Sequence, residues 1–217
     1  MLTDSNPSRI FLLSPANTTG IRAGRVMSNS AQLELQRRLR KEGVPLGEVF
    51  SFISGLYFRG KLAYANSFAT PPRNLPGAYV ITACAGLITP DTSVTLEQLR
   101  EICAGDVDAG NVRYRRPLDR DLRILSETAG PYSQFVLLGS IATPKYIAPL
   151  LEILGERLFF PAEFIGRGDM SRGGLLLRCA SAGTQLTYIP VATAALHGPR
   201  PPKLARRQRT AGKQTYQ

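Results

Sequence analysis

An α/β domain built as a three-layer α/β/α sandwich around a mostly parallel central sheet is the fold class this sequence predicts, and three observations predict it. Short apolar runs bounded by polar residues, Gly and Pro recur along the chain: Arg9-Ile10-Phe11-Leu12-Leu13, Tyr79-Val80-Ile81-Thr82-Ala83-Cys84, Phe135-Val136-Leu137-Leu138 and Arg157-Leu158-Phe159-Phe160-Pro161. Runs of that length are what strands covered on both faces look like. From Phe135 the chain reads strand, small-residue turn, helix, strand, a succession that implies a parallel pair with a right-handed crossover. Finally, 217 residues with 43% hydrophobic content suit one such domain with a real core.

Taken in order, the first strand opens into the small, polar loop from Ser14 to Gly20, which runs on to Arg22 and Arg25. Such a loop can present backbone N–H groups to a phosphate, although it lacks the GxxxxGK[ST] pattern of a nucleoside-triphosphate site. A helix is expected from about Ser30 to Glu42, with Leu33, Leu35 and Leu39 apolar and arginines opposite. Pro45 to Lys61 concentrates aromatics among basic groups, and a helix continues through Ala65 to Phe68 before Pro71-Pro72 stops it. The strand from Tyr79 to Cys84 leads to a helix around Thr95 to Cys103, with a capping box at Thr95 and Gln98. Asp106 to Arg116 reads as a polar connection, and Asp119 to Ala129 as a helix delivering the chain to Phe135. After the strand at Leu158, Glu163 to Gly174 reads as a glycine-rich loop, Leu175 onward as a helix, and Gln185 to Val191 as the last strand. The domain is expected over 1–196, with 197–217 a Pro- and Arg-rich tail that lacks fixed structure until it meets a partner.

Charge narrows the partner. The chain holds 27 Lys and Arg against 16 Asp and Glu, a formal net charge of +11, and this excess points to a polyanion because each phosphate neutralised releases counterions. Part of the excess sits in the tail, but Arg37-Arg38-Arg40-Lys41, Arg113-Arg115-Arg116 and Arg167 with Arg172 leave the body basic as well. The expected partner is nucleic acid, most of all double-stranded DNA. No apolar run is long enough to span a bilayer and no secretory leader is evident, so the expected setting is cytoplasmic without a membrane partner. Three scattered cysteines (Cys84, Cys103, Cys179) and the single His197 supply neither a disulfide framework nor a zinc site, and no cofactor is expected.

The side chains that suit chemistry on an extruded base fall into three groups. Hydrolysis of an N-glycosidic bond needs a group to hold water and stabilise a cationic sugar, for which Asn17, Glu48, Glu163 and Asp169 are the candidates. Tyr57, Phe58 and Tyr146 offer stacking surfaces, and Arg22, Arg25, Arg59, Lys61, Lys145, Arg167 and Arg172, with Ser140 and Ser171, offer phosphate contacts. Met170 offers an apolar wedge. Each has a structural alternative: an Asx-turn for Asn17, a pair with Arg167 for Glu163, a helix-terminal role beside Arg172 for Asp169, and core packing for the aromatics. Tyr57, Arg59 and Lys61 are expected to stay at least partly exposed.

The order of these loops resembles the uracil-DNA glycosylase superfamily. In that family a catalytic loop follows the first strand, a base-reading strand comes next, a Leu-Leu-Trp-Gly-like strand and turn third, and a phosphate-clamping, duplex-wedging loop after the last core strand. Phe11 to Arg25, Val80 to Thr89, Val136-Leu137-Leu138-Gly139-Ser140 and Pro161 to Gly174 look like these four segments. Asn17 with Gly20-Ile21-Arg22 is similar to the Asn-Pro-Gly pattern of the mismatch-specific branch, where an asparagine positions water. Tyr57 to Pro90 and Leu137 to Gly166 also resemble YaaA-like bacterial proteins associated with modified-base metabolism. The resemblance implies a glycosylase-like fold and a hydrolase that flips and excises a base. The first loop has no Asp-Pro-Tyr-His, and Pro161-Ala162-Glu163-Phe164 stands where the family places a histidine, so the implied base is a modified one rather than uracil, such as those that mark phage DNA in antiviral defence. Two other classes fit the same residues: a non-enzymatic nucleic-acid-binding protein on this fold, and an enzyme acting on free nucleosides or nucleotides.

Overall fold

The computed structural model describes residues 7–30 and 33–204. Its elements run β1 (Arg9–Leu13), α1 (Ile21–Met27), α2 (Glu34–Lys41), β2 (Val44–Pro45), α3 (Leu46–Ser54), α4 (Leu56–Phe68), β3 (Ala78–Ile81), β4 (Leu87–Ile88), β5 (Ser93–Val94) and α5 (Leu96–Cys103). The chain continues through α6 (Val112–Ala129), β6 (Gln134–Leu138), α7 (Pro144–Leu154), β7 (Leu158–Pro161), α8 (Asp169–Ala182) and β8 (Tyr188–Pro190). Six strands form one sheet in the order β4-β3-β1-β6-β7-β8; its four central strands are parallel, and β4 and β8 are antiparallel edges. β2 and β5 make a separate two-stranded ribbon.

Burial explains why the apolar runs read as they do. Ile10 to Leu13 and Phe135 to Leu138 are wholly buried, paired in register from Ile10–Phe135 to Leu13–Leu138, so alternate side chains leave both faces of the sheet and both faces are covered. On one face Phe11 meets Tyr64 of α4 edge to ring, centroids 5.8 Å apart. The fold is therefore α/β with a mostly parallel central sheet, an arrangement compatible with three layers.

Four boundaries differ from the sequence reading, two of them for a clear local reason. The sheet strand expected over Tyr79 to Cys84 ends at Ile81, because Thr82 closes a turn by donating its Oγ1 to the Gly86 carbonyl (2.9 Å), with Gly86 at φ +67°. The expected connection over 106–116 gives way at Val112 to α6, which starts where Asn111 Oδ1 accepts from the Arg113 N–H (3.0 Å) and runs through Pro117 on the buried stripe Tyr114, Leu118, Leu122 and Leu125. The last strand shortens to Tyr188–Pro190, and the helix expected from Ser30 is Glu34–Lys41, with residues 31–32 outside the description.

A fifth difference matters most for the site. Residues 169–174 are not loop but the opening of α8. Their glycines serve a helix crossing: a Cβ on Gly173 would sit 2.7 Å from Tyr57 Cα, and one on Gly60 would sit 2.6 Å from the Gly173 carbonyl oxygen. α4 and α8 thus pack backbone to backbone, which only glycine permits on both sides. Burial of the α4 face also overturns the expected exposure of its residues. Tyr57 and Lys61 are buried and Arg59 alone is exposed.

Candidate functional site

β1 sits between β3 and β6, and the chain leaves it to build the sheet first on one side and then on the other. Where strand order reverses in this way, the loops beyond the carboxyl ends part and leave a crevice. Here the loops after β1, β3 and β6, with the facing ends of α3, α4, α7 and α8, enclose an open cavity of about 780 Å³. Asn17, Tyr57, Ser140, Lys145, Tyr146 and Asp169, all expected site residues, line it together.

The first loop is fastened by its own hydrogen bonds. Asn17 Oδ1 accepts from the Thr19 N–H (3.0 Å) and the Thr19 hydroxyl (2.8 Å), the Asx-turn expected of it, which engages the amide oxygen and leaves Nδ2 as the donor a ligand would meet. Beneath the loop, the Lys61 ammonium donates to the Ser14 carbonyl (2.5 Å) and the Ser14 hydroxyl (2.9 Å) and packs against the rings of Tyr57 and Phe58. Burial lowers the Lys61 pKa to about 7, partly opposed by the charge of Asp169. Lys61 is a support under the cavity floor rather than a surface phosphate contact.

Asp169 is the first residue of α8, where a carboxylate suits the helix dipole, and it lies 3.8 Å from Arg172 Nη1 with its side chain largely exposed. Arg172 is itself buried: Nε and Nη2 donate to the Phe164 carbonyl (3.3 and 3.0 Å), and Nη1 to the Gly139 carbonyl (3.4 Å). It ties α8 to the ends of β6 and β7, and so positions Asp169 rather than reaching for a phosphate.

Two tyrosines form the apolar side. Tyr57 is 7% exposed, and its hydroxyl is buried with no hydrogen-bond partner among the described residues. Burial pushes that hydroxyl up to about 12; the Arg172 guanidinium is near enough to oppose the shift without hydrogen-bond geometry. The Tyr146 hydroxyl is also pushed up, by burial first and then by Tyr57 and Asp169, so both remain protonated donors at neutral pH. Lys145, in the first turn of α7, rests its ammonium 5.1 Å from the Tyr146 ring centroid, and Tyr114 pins that turn by donating to the Lys145 carbonyl (3.1 Å). An 11-residue helix opening beside a lysine is suited to an anion.

The other expected residues lie elsewhere. Glu48 is exposed on α3 and paired with Arg38 (2.6 Å). Glu163 accepts from the Thr187 N–H (3.1 Å), holding the β7 end to the chain before β8, while Arg167 turns to Ser171 Oγ (3.2 Å) and the Pro202 carbonyl (3.4 Å). Arg22 and Arg25 are exposed on α1, and Arg59 on α4. Arg167, Met170 and Ser171 line a second cleft.

Sequence reasoning missed Ser14, Thr82, Cys103, Asp106 and Asp108, which also line the cavity. Asp106 and Asp108 follow a helix rather than a sheet strand, so searching strand-following loops passes over them; two carboxylates one residue apart beyond a Gly were the available signal. Cys103 offers no thiolate, since burial and then Cys84 push its thiol up to about 12. The cavity therefore combines three carboxylates, two ring-bearing hydroxyl donors, an amide and a lysine. No protein-family model, curated protein or solved structure matches this chain.

Proposed function

We propose that this protein is a DNA N-glycosylase-like hydrolase on a uracil-DNA glycosylase-like three-layer fold, which draws a modified base out of the duplex and excises it to leave an abasic site. The observation that carries the reading is that Asp169 stands at a cavity bounded by Tyr57, Tyr146, Asn17 and Lys145, at the sheet edge where β1, β3 and β6 end. The loops similar to the catalytic, base-reading and Leu-Leu-Trp-Gly-like segments of that family all open there, and the fourth segment supplies Asp169.

The chemistry follows from the donors and acceptors. Asp169 accepts a proton from water as its oxygen bonds to the anomeric carbon, and its charge, with Asp106 and Asp108, favours the cationic sugar while the C–N bond breaks. The departing base keeps the bonding electron pair, and the Tyr57 hydroxyl, unpartnered among the described residues, donates to an acceptor on it. Asn17 Nδ2 supplies a second donor. The Tyr146 ring offers a stacking surface, and Lys145 at the opening of α7 takes the flanking phosphate. Met170, 68% exposed beside Asp169, is the wedge that occupies the space the base vacates. A cytoplasmic role in defence against phage with modified DNA fits this activity.

The test is incubation of the protein with unmodified, uracil-containing and hypermodified phage duplexes, followed by alkali cleavage and mass spectrometry of released bases. Alkali-dependent breaks with one released base, abolished in Asp169→Asn, are the expected result. Binding without release across the whole panel would favour a non-enzymatic nucleic-acid-binding protein, and release from free nucleosides alone would make it a nucleoside enzyme.

A further inference from the structure

Ser14 directly follows β1 and lines the cavity where its first loop begins. The Ser14 hydroxyl lies 2.9 Å from Lys61 Nζ, nearer than its other neighbour, the Leu138 carbonyl at 3.4 Å. Lys61 is 1% exposed, and among the described residues both of its hydrogen-bond partners belong to Ser14. The rest of its surroundings are the faces of Tyr57 and Phe58, with ring centroids at 4.5 and 4.9 Å. A buried lysine kept only for structure is normally held charged by a carboxylate in contact with it, whereas apolar burial favours the free amine. With its pKa lowered to about 7, against the more distant charge of Asp169, Lys61 supplies that free amine at neutral pH. A free amine at 2.9 Å is an acceptor for the serine proton.

The surroundings of the pair suit attack on a carbonyl. A Cβ at Gly139 would lie 3.2 Å from Ser14 Oγ and 3.0 Å from Ser14 Cβ, so any side chain there would crowd the hydroxyl, and glycine leaves it clear. Two side-chain donors line the same cavity: Asn17 Nδ2, three residues along the loop, and the Tyr57 hydroxyl, which is buried without a partner among the described residues. Donors fixed in a water-poor wall are what a developing oxyanion requires. Asp106, Asp108 and Asp169 outnumber Lys145 among the charged side chains lining the cavity, which therefore admits a neutral or cationic compound more readily than an anionic one.

We propose that Ser14 and Lys61 are a nucleophile and its base, which cleave neutral or cationic carboxylic esters through an acyl-enzyme, a second activity of the cavity that does not depend on base excision. The Lys61 amine takes the Ser14 proton as Oγ bonds to the carbonyl carbon, and the oxyanion accepts from Tyr57 and Asn17. The tetrahedral adduct then breaks its bond to the alcohol oxygen, which leaves with the proton held by Lys61. Water gives a proton to the same amine and attacks the acyl group on Ser14. The carboxylic acid departs and Oγ recovers its proton, so that one ester and one water become one acid and one alcohol.

The test treats the full-length protein at pH 8 with a neutral dialkyl fluorophosphate, which phosphorylates activated serines with loss of fluoride, and locates the adduct by tandem mass spectrometry. A single adduct on Ser14, absent from heat-denatured protein, is the expected result, and it needs no variant to fold. No adduct, an adduct on another residue, or equal labelling of the denatured chain overturns the proposal. The same protein should hydrolyse p-nitrophenyl acetate, with Ser14→Ala inactive and Lys61→Met slower by about 100-fold or more, as removal of a general base predicts. Thermal melts show that each variant compared is folded. Acetylation of Lys61 or Lys145 in place of Ser14, or a folded Lys61→Met that labels as fast as the wild type, would also sink the pair. Base release from duplexes is scored separately, so the loss of either activity leaves the other standing.

Discussion

The Nζ of Lys61 lies 2.5 Å from the carbonyl oxygen and 2.9 Å from the hydroxyl of Ser14, so a buried amine holds the end of β1 where the first cavity loop begins. Among the described residues no carboxylate bonds to it, and its charge is offset by dipoles, two aromatic rings and the more distant Asp169. Its pKa falls from the ordinary lysine value to about 7 because burial disfavours the ammonium.

That shift predicts how stability depends on pH. Between about 7 and the ordinary lysine range the unfolded chain binds the proton more readily than the folded protein, so stability rises with pH across that window. The burial penalty is fully present below pH 7 and relieved as the amine loses its proton. Urea unfolding of the wild type and of Lys61→Met at pH 6.5, 8 and 9.5 should show the wild type gaining on the variant by up to about 1.4 kcal/mol per pH unit. A difference that stays flat would mean the amine is already neutral or remains solvated.

The α4–α8 crossing makes a sharper structural prediction. Gly173→Ala places a methyl 2.7 Å from Tyr57 Cα, with backbone and not a flexible side chain in the way, so the helices must part. Overpacking of this kind costs about 1–3 kcal/mol. Because Tyr57 and Asp169 ride on the two helices, duplex or base affinity should fall as well. Gly24→Ala in α1, where no described residue comes within 4 Å of the new methyl, should instead stabilise by about 0.5–1 kcal/mol. Thermal melts of the two variants separate close packing from helix propensity.

The crossing also shows what was legible in the sequence. Strands were readable from β1 and β6 because sheets covered on both faces leave continuous apolar runs, and the edge on which their loops open followed from strand direction. Asn17, Ser140, Lys145, Tyr146 and Asp169, singled out on that basis, all line the one cavity. Arg172-Gly173-Gly174 read as a loop because glycine signals both flexibility and close approach, and only the partner at Gly60 tells them apart. Lys61 was expected at the surface because lysine is seldom buried; its support by Ser14 comes from a residue 47 positions away. Asp106 and Asp108 enter the cavity from a connection after α5, for which no strand pattern gives notice.

Glu48 shows how the structure separates candidates of equal standing. It lies 2.6 Å from Arg38, with the side chains 45% and 36% exposed, and does not line the cavity. Exposed pairs contribute about 0–1 kcal/mol. Glu48→Ala should therefore retain base release within a few-fold and lose little stability, whereas Asp169→Asn should lower release by about 100-fold or more while keeping duplex affinity. Single-turnover assays beside binding titrations test both, and equal losses in the two variants would remove Asp169 from its role.

The Tyr57 hydroxyl gives a prediction in which stability and function move in opposite directions. It is buried, neutral and unpartnered among the described residues, and a buried polar group left unsatisfied costs about 1–3 kcal/mol. Tyr57→Phe removes that cost without changing the ring or its contact with Lys61, so the variant should melt higher than the wild type. If the hydroxyl donates to the departing base, the same variant should lose base release by about 10-fold or more while binding duplex as before. A variant that gains stability and keeps full activity would show that the hydroxyl meets no ligand, and one that loses stability would show that it already has a partner in solution.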